Sequence, residues 1–472
     1  MAPPYVIAIV GLEEDLDVRL TTNLVGEGAM EAAVGTRVAV VFEQVEDVWL
    51  PLFEPVADAE PAPIPPEQDA RIYVRAPIST KRYEHDSVFS GVGHSRVGRR
   101  LGVDPLELAV EASLAAVADA GLRLEDIDGL STYPGAGGRA YGHSEGGITA
   151  LEEALRLKPT WHAGAAETPG QAGAIVSAML AVSAGLCRHV LCFRTVWEAT
   201  FATRPAPVGP ADGRVDDQSA WRSPFGAMSA ANWIAMCASN YFARYGATRE
   251  VLGRIAVNAR IGAGRNETAI YREPITMDDY FDARMISSPF GLYDCDVPCD
   301  GAVAIIVSAA ETAVDLRVAP VRIEAVGTQI TERISWDQGT ISHEPQLMGP
   351  SAHLWSRTSL TPADVDVALL YDGFSFNCLS WLEALGFCGM GEASDFIGDG
   401  SRIALDGELP LNPHGGQLSA GRTHGFGFMA EAIHQLRGES AARQVPGARL
   451  ACVSTGGGVP SSAWLLSGPD GA

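Results

Sequence analysis

The sequence predicts an α/β protein of two similar halves, preceded by a small all-β module. Three patterns carry that expectation. Residues 1–55 hold only short β-branched runs. From about Asp86, helical periods alternate with short apolar strands. The alternating region also repeats part of its own plan.

The runs Tyr5–Leu12, Val18–Leu24, Arg37–Val45 and Trp49–Phe53 are separated by turn residues, the spacing of a small barrel. Pro55, Pro61, Pro63, Pro65 and Pro66 follow among Ala, Asp and Glu. Such a stretch buries no core and makes a semi-rigid linker, within a connecting segment over 56–85.

Beyond it, Pro105–Ala120 has apolar residues at helical spacing, opens on Asp104-Pro105 and stops at Gly121. Gly129–Thr132, His189–Phe193, Ala302–Val307, Val367–Leu370 and Leu450–Val453 read as strands. Leu122–Leu130 (LRLEDIDGL) is echoed by Leu360–Leu369 (LTPADVDVAL). Gly173–Phe193, a helix feeding a strand, is echoed by Gly425–Val453. Two echoes in the same order predict a duplicated unit over 86–472, with halves of about 86–310 and 311–472.

Composition narrows the function. The chain has 472 residues, 47% of them hydrophobic, and a formal charge of −24 from 34 Lys+Arg against 58 Asp+Glu. Nucleic acid and anionic lipid both require clustered cations, so neither is an expected partner. The longest apolar run, Ala174–Cys187, falls short of the roughly 20 residues that span a bilayer, and the N-terminus lacks a basic signal-peptide start. Eight cysteines without a CxxC pair predict buried thiols, no metal ribbon and a reducing, cytoplasmic setting.

Three segments are distinctive. Asn412–Gly438 reads NPHGGQLSAGRTHGFGFMAEAIHQLRG, Tyr371–Gly386 reads YDGFSFNCLSWLEALG, and Cys295–Val307 reads CDVPCDGAVAIIV. Together with Gly456-Gly457-Gly458, they resemble the thiolase superfamily, in particular the sterol-carrier-type thiolases and their lipid-transfer-like relatives. The resemblance covers about residues 86–472. It implies a five-layered αβαβα fold of two duplicated halves, a homodimer, and an acyl-CoA substrate, with coenzyme A entering as part of that substrate and no separate cofactor. Residues 1–55 resemble the acyl-CoA-associated OB-fold domain that accompanies these proteins as a partner subunit, fused here and without a zinc ribbon.

The departures from the family direct the chemistry. Thiolases place a nucleophilic Cys at a helix N-terminus, where this chain reads Ala166-Glu167-Thr168-Pro169-Gly170. Arg422 replaces the activating His, and Ser454 replaces the second catalytic Cys. Tyr371 stands where sterol-carrier-type thiolases have the His of an HDCF motif. Loss of Cys with Tyr at this place resembles the steroid side-chain aldolases. Those relatives carry a Gly-Tyr-x-His-Gly pattern where this chain has Gly421-Arg422-Thr423-His424-Gly425.

A retro-aldol cleavage needs a base for the β-hydroxyl, donors for the enolate oxygen and an acid for the enolate carbon. Tyr371 beside Arg422 is the expected base, with its phenol drawn toward tyrosinate by the guanidinium. His424 and His414 are expected to donate to the enolate or relay protons, and Asp372 to orient one of them. Arg260 and Arg265 are candidate contacts for CoA phosphates. The expected activity is therefore a non-covalent acyl-CoA lyase, an aldolase acting on a β-hydroxyacyl-CoA such as a steroid side chain. An acyltransferase with an unusual nucleophile and a non-catalytic acyl-CoA or lipid carrier remain open alternatives.

Overall fold

The computed structural model describes residues 3–64, 73–77, 79–204, 215, 217–331, 344–458 and 460–471. Part of the proline-rich linker and the middle of the Phe201–Phe225 loop lie outside the described residues.

The N-terminal strands are β1 (Val6–Leu12), β2 (Asp15–Leu24), β3 (Val38–Val45) and β4 (Val48–Pro55), in the order β1-β2-β4-β3. β1–β2 and β3–β4 are antiparallel hairpins, joined by one parallel pair, Leu24 with Phe53. Among the described residues β1 and β3 remain as edges, so these strands form an open sheet. The sheet meets the rest of the protein where Tyr5 Oη donates to Gly226 O at 3.2 Å and Asn23 Nδ2 donates to Phe225 O at 2.9 Å.

In chain order the large region comprises β5 (Ser87–His94), α1 (Pro105–Ala120), β6 (Gly129–Thr132), α2 (Ile148–Leu155), β7 (Trp161–Gly164), α3 (Gly173–Ser183), β8 (His189–Trp197), α4 (Glu198–Phe201), α5 (Ala230–Tyr245), α6 (Arg249–Gly264), α7 (Met277–Asp282), β9 (Met285–Ser287), β10 (Phe290–Gly291), β11 (Asp300–Ala309), β12 (Val321–Gly327), α8 (Glu344–Ser356), β13 (Val367–Leu369), α9 (Ser375–Ala384), α10 (Ala393–Ile397), α11 (Gly425–Arg437), β14 (Leu450–Thr455) and β15 (Ser462–Ser467). Apart from the β9–β10 hairpin, its strands pair in one order, β13-β14-β15-β12-β5-β11-β8-β6-β7. That order mirrors itself about the β12–β5 seam. β6 runs parallel to β8 as β13 does to β14, and β8–β11–β5 repeats the antiparallel run β14–β15–β12. The helix preceding β8 is α3, and the helix preceding β14 is α11. The sequence echo between Gly173–Phe193 and Gly425–Val453 reflects this shared position.

Strand alternation builds a core on each face of the sheet. Along β11, Ala302, Ala304 and Ile306 face the cluster around α1, while Val303, Ile305 and Val307 face the one containing α3 and α11. α1 starts where Asp104 caps Leu106 N–H at 2.8 Å and ends at Gly121 in the left-handed conformation. It lies directly on β5 because Gly91 and Gly93 face it. A Cβ at either glycine would meet a backbone oxygen of α1 at 2.3 Å. The second core carries the functional region, since Tyr371 and α11 both belong to it.

Candidate active site

Tyr371 follows β13 and is pinned there by its neighbour strand. Its backbone N–H donates to Ser454 Oγ on β14 at 2.9 Å. Ser454 is fully buried and accepts this hydrogen bond. The next residue, Asp372, turns inward and organises the NPHGG loop. Its Oδ1 accepts from Gln417 N at 2.7 Å and its Oδ2 from Asn412 Nδ2 at 3.2 Å. Burial raises the Asp372 carboxyl to about 7 in spite of these donors. Asp372 therefore shapes the loop rather than orienting a histidine.

That loop delivers His414, whose ring packs edge-on against Phe428, with centroids 5.4 Å apart. Tyr371 lies near the same Phe428, at 6.1 Å. Burial pushes the His414 imidazole down to about 3, so it is neutral, and its Nδ1 has no hydrogen-bond partner.

His424 is the residue before α11 and has φ +57° and ψ −158°, a sparsely populated conformation for a residue with a side chain. Its Nδ1 lies 2.5 Å from Nη2 of Arg194, a side chain from the middle of β8. Arg194 is itself fixed, since its Nη1 donates to Tyr133 O at 2.7 Å and to His143 O at 2.8 Å. A guanidinium has donors only, so Nδ1 must accept. Burial, followed by the Arg194 charge, holds the His424 imidazole well below its ordinary range. The ring is therefore neutral, with its one proton on Nε2. This is a donor that keeps its proton, the property wanted opposite a developing oxyanion.

Arg422 is saturated by carboxylates. Its Nε donates to Glu198 Oε2 at 2.7 Å, Nη2 pairs with Glu198 Oε1, and Nη1 donates to Asp296 Oδ1 at 3.2 Å and Oδ2 at 3.1 Å. Asp300 places Glu198 by fixing α4, accepting from Thr200 N at 3.0 Å and Thr200 Oγ1 at 2.6 Å. Asp296 is tied to the Tyr371 turn through its N–H, which donates to Gly373 O at 3.1 Å. Burial raises the Asp296 carboxyl to about 6, partly countered by Arg422.

The expected activation of Tyr371 by Arg422 is corrected here. Burial raises the phenol well above its ordinary range, Asp296 reinforces the rise, and Arg422 lowers it less. With two carboxylates on the guanidinium, Tyr371 is a proton donor at neutral pH. Gln417, 2% exposed, lies close enough to the phenol to lower it a little, though neither end of its carboxamide makes a hydrogen bond of ordinary geometry.

Arg260 is a second correction. It is buried, donates from Nε to Ser419 Oγ at 3.0 Å and from Nη1 to Glu273 O at 3.2 Å, and stacks over Tyr271 and Tyr293. It braces the loop after NPHGG and is not available to a phosphate. Arg265, the residue closing α6, is exposed. Glu167 lies exposed in the loop before α3.

Ring nitrogens of His143 and His424 and an oxygen of Glu198 lie within 4.8 Å of one another. They do not suit a metal ion. His424 Nδ1 is taken by Arg194, its Nε2 is protonated, both Glu198 oxygens hold Arg422, and the Arg194 guanidinium adds a further positive charge. Neither described cysteine near Arg422 is poised as a thiolate. Cys299, beside Arg422, is raised well above the usual thiol range by burial and by Glu198, and burial pushes Cys295 up to about 12.

Sequence reading missed Arg194, Glu198, Asp296, His143 and Gln417. Two left a trace. Arg194 is a charge inside the apolar strand HVLCFRTVW, and Asp296 lies in the CDVPCDG segment.

Residues 348–466 match the thiolase C-terminal domain-like family. A steroid side-chain-cleaving aldolase of Thermomonospora curvata is 36% identical over 392 residues, 80% of this chain and 97% of that protein. The chain belongs to the thiolase superfamily, among its steroid side-chain aldolases. A 17-hydroxy-3-oxo-4-pregnene-20-carboxyl-CoA lyase of Mycobacterium tuberculosis is 37% identical over 394 residues, covering 80% of this chain and 97% of the lyase. The solved Ltp2-ChsH2(DUF35) aldolase superposes with a TM-score of 0.73 at 33% identity, covering 82% of this chain and 98% of that one. Human mitochondrial 3-ketoacyl-CoA thiolase, at 15% identity and a TM-score of 0.57, shares the fold, with 82% of this chain and 100% of that one covered. Among the described residues, Tyr371 and His424 both face Arg422, whose neighbour Cys299 is raised well above the usual thiol range.

Proposed function

We propose that this aldolase cleaves the bond between the α- and β-carbons of a β-hydroxyacyl-CoA, with no covalent acyl-enzyme. The observation that supports this most strongly is the neutral, Nε2-protonated His424 fixed by Arg194, with the protonated Tyr371 phenol and an Asp296 carboxyl raised to about 6 gathered, like His424, around Arg422.

In this reading Asp296, ionised at neutral pH, accepts the β-hydroxyl proton. The Cα–Cβ bond breaks as the β-carbon becomes a ketone, and its electron pair passes to the thioester as an enolate. His424 Nε2–H donates to the enolate oxygen. Such a donor in a water-excluded site is worth roughly 10²- to 10³-fold in rate. Tyr371 supplies the proton that converts the enolate carbon into the shorter acyl-CoA, and the proton taken up by Asp296 passes back to the phenolate, restoring both groups. Arg422 holds Glu198 and Asp296 in place within a buried cluster, a positioning role rather than a chemical one.

The names of the relatives support a substrate in which the β-carbon is a hydroxylated steroid ring carbon. Incubation with 17-hydroxy-3-oxo-4-pregnene-20-carboxyl-CoA tests this. Cleavage gives a 17-ketosteroid and propionyl-CoA by atom balance. Turnover of short 3-hydroxyacyl-CoAs without turnover of the steroid thioester would reject the steroid assignment and retain the lyase.

A further inference from the structure

The loop after NPHGG carries a side chain whose polar atoms the fold leaves unpaired. Gln417 is 2% exposed, and among the described residues neither its Oε1 nor its Nε2 has a hydrogen-bond partner. A carboxamide accepts through its oxygen and donates twice through its nitrogen. Burying such a group with neither end paired destabilises a fold, so its presence calls for a reason other than packing. Methionine or leucine would fill much the same volume without the unpaired atoms.

The backbone of Gln417 fixes where the side chain stands. Its N–H donates to Asp372 Oδ1 at 2.7 Å, and its carbonyl accepts from Val297 N at 2.9 Å. Asp372 follows Tyr371 and Val297 follows Asp296, so Gln417 is tied to the turns that carry both the acid and the base. The phenol is equally constrained. It lies folded over its own turn, where a Cβ on Gly373 would come within 3.2 Å of Tyr371 Oη, and it flanks Phe428 with ring centroids 6.1 Å apart. The carboxamide lowers the phenol a little against the rise from burial. Its donor end must be the one that does so, because an N–H bond to the phenol oxygen favours the charged form.

We propose that Gln417 is a positioning residue for the acid step: its Nε2–H donates to the Tyr371 hydroxyl oxygen, turns the phenol O–H toward the enolate carbon and holds the phenolate that remains. This rests on the reading of Tyr371 as the proton donor. A donor on one side of the phenol oxygen directs the phenol's own proton to the other. The O–H bond breaks as the new C–H bond forms, and the phenolate then regains its proton from Asp296. While the oxygen is charged, the contact from Gln417 is a charge-assisted hydrogen bond, shorter and stronger than the neutral one. The gain comes in the transition state rather than in the substrate complex, so it speeds the chemistry without tightening binding. Loose geometry in the free enzyme agrees with this, since catalytic hydrogen bonds are often long or misaligned until the reacting complex forms.

A double-mutant cycle of Gln417→Met with Tyr371→Phe tests the proposal in the full chain. The probe is 17-hydroxy-3-oxo-4-pregnene-20-carboxyl-CoA, or a short 3-hydroxyacyl-CoA where only that turns over. Gln417→Met should lower kcat about 10- to 100-fold with KM within about threefold of the intact chain, the range for a hydrogen bond to a charged group. In the Tyr371→Phe background it should change kcat by less than about threefold, because the group it acts through is gone. Its Tm should equal or exceed that of the intact chain, since no hydrogen bond is lost. Gln417→Leu, a second apolar variant, is held to the same expectations. Unchanged kcat in both apolar variants, losses that multiply in the double variant, or a Tm lowered in both apolar variants would overturn this inference and leave Tyr371 as the acid. Near-normal kinetics in Tyr371→Phe, or no cleavage by the intact chain, would overturn it together with the reading of Tyr371.

Discussion

Replacing His424 with asparagine removes the Nε2–H donor while retaining a side chain that tolerates φ near +57° and can precede a helix. The ring is neutral and its tautomer is imposed by Arg194 at 2.5 Å, so its contribution to the enolate is a hydrogen bond rather than a proton transfer. Loss of one oxyanion donor is worth about 10²- to 10³-fold in kcat, roughly 3–4 kcal/mol. Because that interaction strengthens only as charge develops, kcat and kcat/KM should fall together with KM little changed. Arg194 loses an acceptor but keeps two carbonyls, so the stability cost should be about 1–2 kcal/mol. Initial rates of acyl-CoA product formation, beside thermal unfolding, measure both. A folded variant with kcat within about fivefold of the intact enzyme, or with a raised KM alone, would refute the oxyanion role. Nitrogen-15 NMR of the ring supplies a separate check, since Nδ1 should report as unprotonated across pH 5–8.

Tyr371→Phe should fold normally and lose at least about 10²-fold in kcat, as expected for removal of a proton donor; near-normal kinetics would reject it. Asp296 must be ionised to act, so kcat/KM should rise with pH and level off above a pKa near 6. In Asp296→Asn that limb should vanish along with most of the activity. His424 contributes no limb there, being neutral throughout. Asp372→Ala strips acceptors from Gln417 N–H and the Asn412 carboxamide in a buried loop, so unfolding free energy should fall by roughly 2–5 kcal/mol, read by denaturant titration. Single Cys→Ala replacements at all eight positions should leave kcat within about threefold. An inactive but folded cysteine variant would contradict the non-covalent route.

The sequence disclosed the architecture where a local signal coincided with a tertiary role. The Asp104-Pro105 start and Gly121 stop of α1, the apolar runs of β6, β8 and β11, and the paired echoes behind α3–β8 and α11–β14 were all legible because caps and periodicity are local. The strand order was not, because β5, β12 and β15 are identified by their partners rather than by their own pattern. The same divide runs through the site. Tyr371 and His424 were found through motifs, but their chemical states were not, since each depends on distant residues. Arg194 lies 230 positions from His424 and fixes its tautomer. Glu198 lies 224 positions from Arg422 and, with Asp296, occupies the guanidinium that was expected to activate Tyr371. Arg260 seemed a phosphate ligand because sequence shows a helical arginine but not its burial beneath Tyr271 and Tyr293.

The most direct test of the central claim is the stoichiometry of cleavage without added coenzyme A. A thiolase must consume free CoA to release its acyl-enzyme, whereas a retro-aldol cleavage leaves the thioester on the departing fragment. Purified enzyme and a β-hydroxyacyl-CoA alone should yield ketone and shorter acyl-CoA in equal amounts, with no mass added to the intact protein in a quenched reaction. A dependence on free CoA, or an acyl adduct on any residue, would contradict the account.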